Sequence, residues 1–254
     1  MVSSDQRRRQ LARDKFQRQQ QRREETRRRT RRLTAIIASS VAVVAVAGVG
    51  TYLVLGGDDA SAEASPAPSP SKSGSSEPPM KIDEKAAYTM SLTTSQGDIG
   101  IAMDAAKTPH TTNSFKSLAD KGYFDGTKCH RLTTEGIFVL QCGDPEGTGG
   151  GGPGYTIPDE NLDALGEAGA NGAVTYPAGV VAMANTGQPG SGGSQFFLVY
   201  KDSELPPTYT PFGTMDKAGL KAVKKIGAAG TEDGAPDGTP KAAVTIEKAA
   251  VDKS

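Results

Sequence analysis

Arg131 is hard to account for as packing alone. It stands in Cys129-His130-Arg131-Leu132, a short apolar stretch answered by Phe138-Val139-Leu140-Gln141-Cys142-Gly143-Asp144. The two stretches read as strand, turn, strand, and an arginine among core residues is costly unless it is paired or used. A second pair, Val180 to Ala184 and Phe196 to Tyr200, reads as two buried strands. The loop between them, Thr186 to Ser194, holds four glycines and a proline. That pairing sets Asn185 beside Gln195 and Phe197, so amide and aromatic groups share one surface. Taken alone, the same pattern also suits an ordinary strand pair with a flexible connection. Other chemistries lack their residues: there is no Ser/His/Asp set, no paired acids and no phosphate loop. The two histidines, His110 and His130, do not stand in metal-ligand spacing with the two cysteines, and His130 reads as structural.

Together the two stretches resemble the cyclophilins, the peptidyl-prolyl isomerases. The resemblance is carried in order by His130-Arg131, Phe138, Gln141-Cys142-Gly143-Asp144, Gly147-Thr148-Gly149-Gly150, Asp159-Glu160-Asn161, Met183-Ala184-Asn185, Gly193-Ser194-Gln195-Phe196-Phe197 and Phe212-Gly213. It covers about residues 86–250. Cys-His-Arg-Leu-Thr-Thr with Leu-Gln-Cys-Gly-Asp-Pro is most similar to membrane-anchored actinobacterial members. The resemblance implies a mainly β fold, a closed eight-stranded antiparallel β-barrel capped by two α-helices.

It also implies a reaction. Rotation about an X–Pro bond faces a barrier of ~18–20 kcal/mol, and uncatalysed exchange takes tens to hundreds of seconds. No covalent step is needed. A site must hold the proline ring and stabilise the twisted amide, whose pyramidal nitrogen accepts a hydrogen bond. A planar arginine fork suits that task better than a lysine, and stabilising the twisted state more than the planar one is the whole of the catalysis. By resemblance Arg131 is the donor, and Gln141 orients it and the substrate. Phe138, Val139, Phe197 and Leu205 match the proline pocket. Met183, Ala184 and Asn185 match the peptide-binding strand end, with the backbone of Asn185 holding the peptide, and Gln195 and Tyr209 line the same groove. The implied partners are proline-containing unfolded or extended polypeptides, with no cofactor, no metal and no specific nucleic acid. A non-catalytic proline-peptide-binding chaperone on the same fold is the alternative.

Three departures stand out. Thr133 to Ile137 is longer than the family's usual turn, by about two residues. Tyr209 stands where many eukaryotic members have histidine. The position of the cyclosporin-contacting tryptophan falls near Glu204, and the chain contains no tryptophan; cyclosporin-type ligands are therefore expected to bind weakly.

The elements that must position these residues follow from pattern. Tyr88 to Thr94 and Ile99 to Met103 alternate about a Gln96-Gly97-Asp98 turn, a hairpin. Thr108 can cap a helix with Pro109 in its first turn; Phe115, Leu118 and Ala119 share its apolar face, and Gly122 ends it. Residues 145–178 read as long surface loops. Lys217 to Ile226 offers Leu220, Val223 and Ile226 for a second helix stopped by Gly227, and Ala243 to Ala249 reads as the closing strand.

Upstream, charge separates the chain into regions. Residues 1–34 carry twelve Arg and one Lys against two Asp and two Glu, a surplus of nine, and the formal net charge of zero leaves the matching deficit on the remainder. This segment cannot bury a core and reads as a basic cytoplasmic tail. Leu33 to Leu55 carries no charge; residues 35–55 are assigned to a single transmembrane helix, long enough for a hydrocarbon layer of about 30 Å. The basic flank puts the N-terminus in the cytoplasm and the C-terminal domain outside. A cleaved signal peptide with its site near Ala60-Ser61-Ala62 is the rival reading. Residues 56–85, rich in Ser, Pro and Ala, read as a disordered linker, and residues 86–254 as the isomerase domain. Outside the cell a disulfide can persist, so Cys129 and Cys142, on neighbouring candidate strands, form either a bridge or two buried thiols.

Overall fold

The computed structural model describes residues 76–254. The basic tail, the apolar run at 35–55 and the linker up to residue 75 lie outside the described residues. Among the described residues no helix is long and apolar enough to cross a membrane.

Strands β1 (Tyr88–Thr94) and β2 (Ile99–Met103) form the expected hairpin. Tyr88, Met90, Leu92, Ile99, Ile101 and Met103 are all buried, one face of a period-two pattern. Gly97 turns the chain at φ 115°, a conformation open to glycine. The last strand, β12 (Thr245–Lys253), pairs antiparallel with the other edge of β1.

Helix α1 (Pro109–Ala119) buries Phe115, Leu118 and Ala119 as its spacing predicts. Its cap differs from expectation. The Thr108 hydroxyl donates to the Asp104 carbonyl at 2.7 Å instead of serving the helix. The free N–H groups are met from a distant loop: Glu160 Oε1 accepts from His110 N–H at 3.0 Å and Oε2 from Thr111 N–H at 2.9 Å, a carboxylate at the positive helix end. Helix α2 (Lys217–Ala229) starts where Asp216 accepts the Gly219 N–H at 2.6 Å. It runs through Gly227, the expected stop. A Cβ at Gly227 would lie 2.5 Å from the Tyr200 ring, so glycine there permits close packing, and the chain turns away at Gly230, φ 78°.

The remaining strands are β3 (Thr127–Lys128), β4 (Arg131–Thr133), β5 (Val139–Cys142), β6 (Val174–Tyr176), β7 (Val180–Met183), β8 (Phe196–Val199), β9 (Ser203–Leu205), β10 (Pro211–Met215) and β11 (Asp237–Gly238). Ten strands form one antiparallel ladder in the order β11-β4-β5-β8-β7-β10-β2-β1-β12-β3, and β6 pairs with β9 apart from it. The sheet is thus a curled half-barrel, and the expectation of a closed eight-stranded barrel is corrected. The reason lies at Cys129-His130, where the chain passes from β3 at one end of the ladder to β4 near the other. Cys129 N–H donates to the Val244 carbonyl and His130 N–H to the Gln141 carbonyl, so two consecutive residues serve opposite margins. Too little strand remains to pair across the gap. The Cys129–Cys142 disulfide spans this seam, with Cα atoms 4.0 Å apart.

Alternation along each strand separates two apolar layers. Leu132, Leu140, Cys142, Val181, Met183, Phe196 and Leu198 point into the curl. Val139, Ala182, Phe197 and Val199 point outward and pack with Val174, Tyr176 and Leu205 of the β6–β9 pair. The site is built on this outer layer.

The structured region reaches further back than the composition break near Lys85. Buried Asn113 of α1 donates to the Pro78 and Pro79 carbonyls at 3.1 and 3.2 Å and accepts from Lys81 N–H at 2.9 Å. Glu77 meets His110 Nδ1 at 2.7 Å, and Asp83 meets Lys253 Nζ at 2.8 Å. These residues fall in the stretch that composition assigns to the linker.

Candidate active site

Register sets the centre of the site. Arg131 of β4 stands opposite Gln141 of β5, and Gln141 opposite Phe197 of β8, all on the outward face. Arg131 Nη1 donates to Gln141 Oε1 at 3.2 Å. Gln141 Nε2 donates to Gln195 Oε1 at 2.8 Å, and Gln195 Nε2 donates to the carbonyls of Gly149 and Gly151 at 3.0 and 2.9 Å. The glycine-rich loop at the end of this relay is held by Asp144. Its fully buried carboxylate accepts N–H groups from Glu146, Thr148, Gly149 and Gly151. Burial opposes the charge there, but the four backbone donors together hold the carboxyl below its ordinary range.

The other side of the arginine is taken by Asp237. Nε and Nη2 donate to its two carboxylate oxygens, each at 2.8 Å. This contact raises the Arg131 pKa despite partial burial and lowers that of Asp237. Arginine therefore stays cationic and its plane is held from two sides.

Arg131 borders a cleft of about 180 Å³ with Ile137, Val139, Gln141, Ala184, Asn185, Phe197, Leu205 and Tyr209. Val139, Phe197 and Leu205 form its nearly buried floor, and Tyr209 stacks edge-on against Phe197 with ring centroids 5.4 Å apart. A larger cleft of about 590 Å³ adjoins it, sharing Gln141, Ala184 and Asn185 and walled by residues 149–156 and Gln195. At the junction the Asn185 side chain is tied down, Nδ2 donating to the Thr208 carbonyl and Oδ1 accepting from Gly187 N–H. Its backbone N–H and C=O have no hydrogen-bond partner among the described residues. The arrangement offers a slot with an apolar floor and a polar rim, a fixed cationic donor at that rim and a free peptide group to dock an extended chain.

Two expected site residues lie elsewhere. Phe138 is absent from both clefts; it packs toward the interior against Tyr200, ring centroids 6.0 Å apart, with Lys201 Nζ 4.1 Å over its ring. The β5–β8 register runs without a bulge from Val139 to Cys142, so parity sends Phe138 away from Gln141 and brings Ile137 to the cleft. Met183 is also interior, because Val181 and Met183 share the inward face of β7. Glu204, near the expected tryptophan position, does not line the cleft; it accepts from Thr175 Oγ1 at 2.6 Å and Asn171 Nδ2 at 3.2 Å. Sequence reasoning missed Ile137, which parity from Gln141 would have found. It also missed Asp237, which sits 106 residues beyond Arg131 on the two-residue strand β11, in a Gly- and Pro-rich stretch with no local signal.

His130 lies beside the arginine with neither ring nitrogen hydrogen-bonded among the described residues. Burial, aided by the Arg131 charge and opposed by Asp144, lowers its pKa, so the ring is neutral near pH 7.

Comparison with known proteins bears on the family and the fold. Residues 89–251 match the model of the cyclophilin type peptidyl-prolyl cis-trans isomerase family. The chain is 47% identical over 173 residues to the probable peptidyl-prolyl cis-trans isomerase B of Mycobacterium tuberculosis, covering 66% of this chain and 56% of that protein. It thus spans little more than half the length of that relative. It is 34% identical over 169 residues to a peptidyl-prolyl cis-trans isomerase-like 1 of Neurospora crassa, covering 65% of this chain and 94% of that protein. A crystal structure of a Cryptosporidium parvum cyclophilin type isomerase superposes with a TM-score of 0.53 at 24% identity, covering 66% of this chain and 99% of that one, and shares the fold. By the matched family model, the ordered strand motifs and the curled sheet that carries them, this chain belongs to the cyclophilin-type peptidyl-prolyl cis-trans isomerase family.

Proposed function

We infer that the domain catalyses cis–trans rotation about X–Pro bonds of extended polypeptides. The observation that carries this reading is the Arg131 guanidinium, held by Asp237 and Gln141 at the rim of a cleft floored by Val139, Phe197 and Leu205. The proline ring fills the slot over Val139, Phe197 and Leu205. Preceding and following peptide groups run past Asn185 toward the adjoining cleft. As the amide twists, its nitrogen pyramidalises and gains a lone pair that Arg131 can reach, while the planar amide offers no such acceptor. The donor therefore favours the twisted state selectively. That a Cryptosporidium parvum cyclophilin was crystallised in the presence of the dipeptide Ala-Pro supports a proline-peptide ligand.

The test is a protease-coupled proline-isomerisation assay on the full chain. Arg131→Ala is expected to lower kcat/KM by about 10²–10³-fold, the scale for removing one preorganised donor, and Arg131→Lys should not restore it. Unchanged kcat/KM in a folded variant would sink the mechanism. Catalysis lost while proline-peptide binding persists in the unmodified chain would favour a chaperone role.

We further infer that the domain faces the cell exterior, tethered through residues 35–55, and acts on exported proteins. The basic tail before an uncharged run supports this. Protease added to intact cells should remove the domain; protection until lysis would reverse the orientation.

A further inference from the structure

We propose that Asp237 is a positioning residue for the isomerase reaction, fixing the plane and direction of the Arg131 guanidinium. The inference rests on the isomerase reading above and deepens it. A guanidinium has five N–H donors. Three are committed in this structure, Nε and Nη2 to Asp237 and Nη1 to Gln141, which leaves two for a substrate. The Gln141 contact is single and long at 3.2 Å, and alone it leaves the plane free to swing about the bond. The paired contacts to Asp237, both 2.8 Å, remove that freedom, because two parallel N–H···O bonds define a plane.

Asp237 is itself anchored. It lies on β11, opposite Thr133, while Gly238 lies opposite Leu132, so it joins the strand that carries Arg131. The Pro236 carbonyl accepts the Thr134 N–H at 2.8 Å just beside it. The loop leading in from α2 is closed on itself: Glu232 N–H donates to the Thr239 carbonyl at 2.9 Å, Lys241 N–H to the Gly230 carbonyl at 2.9 Å, and Asp233 accepts the Ala235 N–H at 3.0 Å. A bonded loop delivers the carboxylate to a defined place. The side chains of the pair are 40% and 53% exposed, so it contributes little to folding stability and its effect is on geometry.

The experiment uses the full chain with Asp237→Ala and Asp237→Asn, read by kcat/KM and by the 15N-detected Nε–H signal of Arg131. Every other arginine lies within residues 1–32, so Arg131→Lys assigns that signal. Asp237→Ala is expected to lower kcat/KM by roughly 10- to 100-fold, no more than removing the arginine, since a misplacement of about 1 Å can cost about 10²-fold. The Asn variant, still able to accept one bond, should recover part of the loss. The Nε–H signal should be slow to exchange in the unmodified protein and lost to solvent exchange in the Ala variant. Melting temperature should not move. Unchanged or raised kcat/KM in both variants, or an Nε–H signal that persists without the carboxylate, overturns the proposal. If the unmodified chain has no isomerase activity, the isomerase reading fails by itself, and the Nε–H signal still decides whether Asp237 holds the arginine.

Discussion

Phe138 and Ile137 differ by one position and face opposite sides of the sheet. The family resemblance assigns Phe138 to the proline pocket, but a strand without a bulge gives that place to every second residue, and Gln141 settles which. Phe138→Leu is therefore expected to leave kcat and KM near their original values. Tyr209→Ala, which strips a wall of the cleft, should raise KM by roughly tenfold. Steady-state kinetics on the two variants checks both; a KM effect from Phe138 equal to that from Tyr209 would mean that the strand is read in the wrong parity. Strand pattern alone draws Arg131 out of an apolar stretch and sets Asn185 beside Gln195 and Phe197, whereas the places of Gln141 and Val139 follow from the resemblance and not from polarity. Asp237 was not legible in the sequence, because a two-residue strand carries no periodicity to show that it pairs with β4, 106 residues away.

Among the elements, the β1–β2 hairpin and both helices are readable from periodicity, since one face of each must be buried. What ends or begins them is less local. Glu160 caps α1 from a loop about fifty residues on, and Gly227 answers to the Tyr200 ring, not to the helix end. Closure of the ladder was also illegible, because it depends on how the chain crosses at Cys129-His130. There the disulfide ties β3's end of the sheet to β5. In the chain-entropy description a loop of this size is worth about 3 kcal/mol. Reduction should therefore lower Tm by roughly 6–12 °C for a domain of this length, and should lower kcat/KM as the Arg131–Gln141 register loosens. Differential scanning fluorimetry and the isomerase assay, with and without reductant, test this; identical curves would mean that the bridge adds nothing.

For the whole molecule, composition divides the chain near residue 85, yet packing divides it earlier. Ser, Pro and Glu carry no period for a reader to find, while Asn113 needs polar partners once α1 has buried it. A chain cut to begin at Lys85 leaves that amide with none of these partners. It should be less stable than one beginning at Ser76 by about 1–3 kcal/mol, the cost of an unsatisfied buried polar group. Chemical denaturation of the two fragments checks it, and equal midpoints would return the boundary to residue 85.

The bond between Cys129 and Cys142 also closes a covalent ring. Inside that ring lie Arg131, Ile137, Val139 and Gln141, and its outermost residues, Glu135 and Gly136, are exposed. A single proteolytic nick there would release no fragment. The two ends would stay joined through sulfur, paired in β4 and β5, and the nicked protein would keep its arginine and glutamine in register until a reductant let the pieces part.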